Sequence, residues 1–270
     1  MTEKPFRNIK LTIEYDGANY FGWQTQKAKS KGQKAKRHRT KGRRQVVDVP
    51  TIQSEIVKAI KKVTGETVTL YGAGRTDAGV HALGQVANFH TRSAIPIGRF
   101  AHALNDYLPE GITTKEANEA SPDFNSQFNA VSKTYRYTVL NRDTPSAVMR
   151  NYYYLVRSPL DEVKMRIASQ NLVGEKDFRA FATENKNKEN TVRRINYFDI
   201  KRDGDFVYFE VNGDGFLYNM VRAIVGTLLL VGLGKLSPEG VRQILDSKDR
   251  RMAGANVPAK GLCLMEVKYK

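Results

Sequence analysis

Cysteine is nearly missing from this chain. A single thiol, Cys263, stands among 270 residues, which excludes an internal disulfide framework and any multi-cysteine zinc site, including the Cys-X-X-Cys centre of zinc-dependent nucleobase deaminases. Long apolar runs are missing too. The longest, residues 228–233, is short and broken by Gly232, so no membrane span is expected. The first five residues, Met-Thr-Glu-Lys-Pro, have no apolar core behind their charges and do not read as a secretion signal. Together these absences point to a reducing, cytoplasmic setting with no membrane partner. Acidic residues are also scarce: 28 Asp and Glu face 44 Lys and Arg, a formal net charge of +16. Such a surplus favours a polyanionic partner, nucleic acid ahead of a membrane surface, because each neutralised phosphate releases condensed counterions. Ten of the basic residues fall between Lys27 and Arg44 with no acid among them. That stretch has no apolar periodicity and reads as a self-repelling arm whose Lys34, Lys36, Arg37, Arg39, Arg43 and Arg44 would meet a polyanionic partner.

What is present is ordinary globular material, 40% apolar and 10% aromatic. Residues 8–15 alternate Ile9, Leu11, Ile13 and Tyr15 with polar neighbours, a half-buried strand closed by Asp16-Gly17. Pro50-Thr51 opens a helix through Ile52, Ile56, Ile60 and Val63, and Gly65 stops it. Strands are expected over 67–71, 85–91 and 112–120, with a helix over 97–108. The second half repeats the plan. Strands are expected over 131–140 and 152–156, a helix over 160–172, and a hairpin of 194–201 with 206–212. An apolar helix over 216–233, a capped helix over 237–245 and a strand over 262–269 complete it. The fold class is therefore α+β, with two tandem units on a shared sheet, divided as residues 1–115 and 116–270.

The loop Gly72-Ala73-Gly74-Arg75-Thr76-Asp77-Ala78-Gly79 invites a phosphate-loop reading. No Gly-Lys-Ser/Thr follows and the next segment is a strand, so that reading fails. The glycines instead frame Asp77, either as a backbone-capping turn or as a reactive carboxylate needing a cation nearby. Arg222 supplies one candidate. It stands in the strongly apolar stretch 216–230, where an unpaired charge is costly, so it should meet a carboxylate or line an anion-receiving cleft unless its stem snorkels outward. In the strand Lys133-Thr134-Tyr135-Arg136-Tyr137, alternation puts Lys133, Tyr135 and Tyr137 on one face, suited to stacking an unpaired base or simply to sheet packing.

These segments resemble the bacterial tRNA pseudouridine synthase A family over about residues 8–269. The resemblance is carried by Tyr15-Asp16-Gly17, Phe21-Gly22-Trp23-Gln24, GAGRTDAGVHALGQ at 72–85, Asn105 with Leu108-Pro109, residues 133–137, Asp177-Phe178, GFLYNMVRAIVG at 215–226 and residues 258–262. It implies two ferredoxin-like, RRM-like α+β domains on one mixed, mainly antiparallel sheet, a homodimer, and no cofactor or metal. It implies Asp77 as the catalytic residue, Arg222 as its partner, Tyr135 against a flipped uracil, and Arg75 as the side chain that displaces or replaces the base. Trp23 and Lys133 are further substrate-binding candidates. The implied reaction turns uridine into pseudouridine in tRNA, at positions 38–40 of the anticodon stem-loop. An rRNA target and a non-catalytic RNA-binding module are the rival readings. The chain departs from the pattern at Asn125-Ser126-Gln127, where a basic residue is usual, and in the basic stretch 27–44, where the family has a much shorter loop.

Overall fold

The structure, a computed structural model, describes residues 6–24, 50–183 and 190–270. The basic arm lies outside them. The first half forms β1 (Arg7–Tyr15), α1 (Ile52–Thr64), β2 (Tyr71–Gly72), β3 (His81–Thr91), α2 (Ile97–Asn105) and β4 (Ile112–Ala120). In β1 the apolar alternation is satisfied: Ile9, Leu11, Ile13 and Tyr15 are buried, and Lys10, Thr12 and Glu14 are partly exposed. Thr51 caps α1 by accepting the Ser54 N–H while the Ser54 hydroxyl oxygen accepts the Thr51 N–H, and Gly65 ends it at φ +78°.

The second half forms β5 (Ala130–Asn141), β6 (Tyr154–Val156), α3 (Glu162–Gln170), β7 (Gly174–Asp177), β8 (Val192–Asp203), β9 (Phe206–Gly213), α4 (Met220–Gly232), α5 (Pro238–Ser247) and β10 (Leu262–Tyr269). One sheet runs through the described residues in the order β4-β1-β3-β10-β5-β9-β8-β7, with β2 on β3 and β6 on β5. The order β4-β1-β3-β2 is that of a ferredoxin-like βαββαβ unit, and β10-β5-β9-β8 repeats it. The α+β class with a large mixed sheet holds. The repeats meet where β10 runs parallel to β3, pairing Cys263 with His81 and Leu264 with Ala82, and a single apolar core extends beneath both.

Several elements differ from expectation. The strand over 67–71 shrinks to Tyr71–Gly72, and β3 begins four residues early because β10 gives His81 and Ala82 a partner. The apolar helix starts at Met220, since Asn219 at φ +61° leaves the helical region. β7 was not anticipated. A division after residue 115 would cut β4, which pairs with β1 from Ile112 to Ala120, so the whole strand goes with the first repeat. Among the described residues no helix is long and apolar enough to cross a membrane.

Candidate active site

Asp77 lies in the loop between β2 and β3, and three segments fix that loop. Its start is tied by the Ala73 N–H donating to the Val86 carbonyl (2.8 Å) and the Gln85 side-chain amide donating to the Gly74 carbonyl (2.9 Å). The Tyr15 hydroxyl meets the Thr76 hydroxyl at 2.8 Å, and the Trp23 backbone N–H donates to the Thr76 carbonyl at 3.1 Å. Gly22 must be glycine: its φ is +83°, and a Cβ there would sit 2.5 Å from the Thr76 carbonyl oxygen. Burial pushes the Tyr15 phenol far above its ordinary range, so it remains a neutral hydrogen-bonding strut.

Trp23 is corrected by this arrangement. It is only 2% exposed, its indole ring fills the space where a Gly72 Cβ would stand (2.5 Å), and it tilts against Tyr15 at 6.1 Å between centroids. It braces the loop from within the core and presents no face to a substrate.

Across the seam, Arg222 projects from the first turn of α4. Its Nη1 donates to Asp77 Oδ2 at 2.9 Å and to Asn219 Oδ1 at 2.7 Å, and its Nε donates to the Val257 carbonyl at 2.8 Å. The two charged side chains keep 25% (Asp77) and 18% (Arg222) of their surface exposed. The pair is therefore partly open to solvent, neither sealed in the core nor fully exposed. The apolar environment read from the sequence surrounds α4, and the guanidinium escapes it by reaching Asp77. The Asp77 carboxylate answers to Arg222, and no backbone cap involves its side chain among the described residues. Asn219 is held in turn by donating to the Thr183 hydroxyl at 2.9 Å.

Tyr135 and Tyr137 share a face of β5, but their surroundings differ. Tyr137 is fully buried, donates to the Pro258 carbonyl at 2.8 Å and packs on Gly261, so it supports the segment that carries Val257. Tyr135 retains 8% exposure and meets Phe216 edge-on at 5.2 Å. Burial first, then the neighbouring Tyr15 and Asp77, raises its hydroxyl far above the usual phenol range. It is thus a neutral aromatic surface beside the carboxylate. Lys133 lies half-buried on the same face, its stem against Gly74. Arg75 is exposed and makes no ion pair among the described residues.

Three functional groups escaped the sequence reading. Asn219 stands one helical turn before Arg222, and that spacing was its only signal. The Val257 carbonyl, being backbone, had none. The Tyr15–Thr76–Gln85 strut was visible only as motif residues.

The Asp77–Arg222 pair thus lies beside the buried Tyr135 at the seam of a duplicated ferredoxin-like sheet. The model of the family described as tRNA pseudouridine synthase matches residues 11–129 and 168–270, and the chain belongs to that family. Among curated relatives, tRNA pseudouridine synthase A of Acetivibrio thermocellus is 46% identical over 97% of this chain and 100% of its own length. tRNA pseudouridine synthase A 2 of Clostridium tetani is 48% identical over 97% of this chain and 99% of its own. That of Clostridium perfringens is 45% identical over 97% and 100%. The archaeal box H/ACA sRNP Nop10-Cbf5 complex, a solved structure, is similar at 18% identity over 66% of this chain and 40% of that chain with a TM-score of 0.32, too low to add to the assignment.

Proposed function

We propose that this chain isomerises uridine to pseudouridine in tRNA at positions 38–40 of the anticodon stem-loop, with Asp77 as its catalytic residue. The observation that carries the reading is the Asp77–Arg222 pair at 2.9 Å, whose carboxylate keeps a quarter of its surface exposed with Tyr135 nearby. The reaction breaks the N1–C1′ bond, turns the base and joins C5 to C1′; C5 gives up a proton and N1 gains one. Asp77 acts as the nucleophile toward C1′ or C6, aimed by its hydrogen bond from Arg222. The target base must leave its stack at a cost of a few kcal/mol. Stacking on Tyr135, of order 1–3 kcal/mol, offsets part of this, while the exposed Arg75 takes the place of the departed base. Lys133 holds the substrate backbone, and the arm with Lys34, Lys36, Arg37, Arg39, Arg43 and Arg44 grips phosphates further away.

The protein is read as a cytoplasmic homodimer without cofactor, on the strength of the family resemblance; light scattering on the purified protein gives its oligomeric mass. The site reading is tested by mapping pseudouridine after incubation with tRNA and rRNA transcripts, using a chemical adduct and reverse-transcription stops. Wild type should mark anticodon-stem uridines, and Asp77→Asn should bind tRNA and mark none. Full activity in Asp77→Asn would sink the assignment. Deleting residues 28–44 should flatten the dependence of RNA affinity on salt.

A further inference from the structure

Lys133, beside the catalytic loop, and Arg193, which acts on it electrostatically, form no ion pair among the described residues. Lys133 precedes Tyr135 by two residues on β5, and a Cβ placed on Gly74 would lie 3.4 Å from its Cε and 4.0 Å from its Nζ. Its ammonium therefore rests on the loop that carries Asp77. Among the described residues it makes no hydrogen bond and no ion pair. Burial lowers its pKa from the ordinary lysine value; the Asp214 carboxylate opposes that shift and the Arg193 guanidinium adds to it. Arg193, from β8, reaches the same corner: its Nε would be 3.4 Å from a Cβ on Gly215, next to the Phe216 that backs Tyr135. Among the described residues its Nη1 donates to the carbonyls of Asn190 and Val192. Asp214 is occupied at Oδ1 by the Arg194 N–H (3.0 Å).

Between the Asp214 carboxylate and the Arg193 guanidinium, a half-desolvated ammonium with no hydrogen bond among the described residues is stabilised further by an arriving anion. Lys133 and Tyr135 are separated along the strand by roughly 6–7 Å, comparable to the reach from a stacked base to its own phosphodiester. We propose that Lys133 and Arg193 form a phosphodiester subsite for the nucleotide whose base lies on Tyr135, fixing the ribose C1′ before Asp77. The proposal rests on the reading of the Asp77 loop and Tyr135 as the uridine site.

The experiment uses the full chain and an anticodon stem-loop transcript. Affinity is measured against KCl concentration, and KM and kcat from pseudouridine formation, for wild type, Lys133→Met, Arg193→Met and Lys133→Arg. Each Met variant should lower the salt slope by about one phosphate contact and raise KM roughly tenfold, and Lys133→Arg should restore both. A neutral methylphosphonate, placed in turn on either side of the target uridine, should weaken wild type at one of the two positions and leave Lys133→Met unaffected there. Unchanged slope and KM in Lys133→Met would overturn the subsite, as would a methylphosphonate penalty that persists undiminished in that variant. Failure of wild type to form any pseudouridine would instead overturn the reading of the uridine site.

Discussion

Arg222 directs its donors to acceptors from three separate segments: a loop carboxylate, an amide at its own helix start and a backbone carbonyl. A planar fork serves all three and a lysine ammonium does not. Arg222→Lys should therefore cut kcat by about two orders of magnitude with little change in KM for tRNA, as single-turnover kinetics will show. Burial pushes the Cys263 thiol up to about 12, so at pH 8 it stays protonated and poorly nucleophilic. Iodoacetamide should label it far more slowly in the native protein than in urea; equal rates would contradict the burial. The lowered pKa of Lys133 gives a signed expectation for binding. Only the protonated form attracts phosphate, so RNA affinity in wild type should begin to fall at a pH below the ordinary lysine range, while Lys133→Arg stays flat there. Asp77 and Arg222 were legible in the sequence because a charge in an apolar run and a carboxylate between glycines both demand explanation. Asn219 and the Val257 carbonyl were not, since a left-handed helix start and a backbone oxygen leave no compositional trace. Trp23 was misread because an aromatic beside a motif looks the same whether it stacks on a base or on Gly72.

Among the elements, α4 is the one whose packing reaches the chemistry. A Cβ on Gly226 would collide with the Ala255 carbonyl, and one on Gly254 would lie 2.6 Å from the Gly226 carbonyl carbon. The helix and the 254–257 strap are thus in backbone contact, and Val257 on that strap receives Arg222. Gly226→Ala should cost about 1–3 kcal/mol of stability and lower kcat as well, because moving the strap moves the guanidinium. Thermal melts and steady-state rates measure the two effects separately. Gly98 is exposed near the start of α2, and a methyl group added there would meet nothing within 4 Å. Gly98→Ala should stabilise by about 0.5–1 kcal/mol and leave activity untouched. Most elements could be read from local period and capping: β1, α1 with its Thr51 cap, the β8–β9 hairpin and α5 behind Ser237. The failures share a cause. β3 gained four residues and the strand at 67–71 lost most of its length because strand extent depends on distant partners.

For the molecule as a whole, the tandem plan was readable from the repeated order of elements, but the join was not. It depends on a parallel contact between Ala82 and Leu264, residues far apart in sequence, for which no local pattern exists. β3 and β10 are the described strands that pair across the join, and β10 has β3 on one side and β5 on the other. Removing residues 262–270 should leave two open sheet edges and an aggregating product with no cooperative melt, even though Asp77, Arg222 and Tyr135 are retained. Asp77 and Arg222 belong to different repeats, so the strand between them decides whether they meet. On the ribosome that strand emerges after all the rest of the site has been made. A growing chain should therefore hold Asp77 and Arg222 without joining them, and their pairing should wait on that strand.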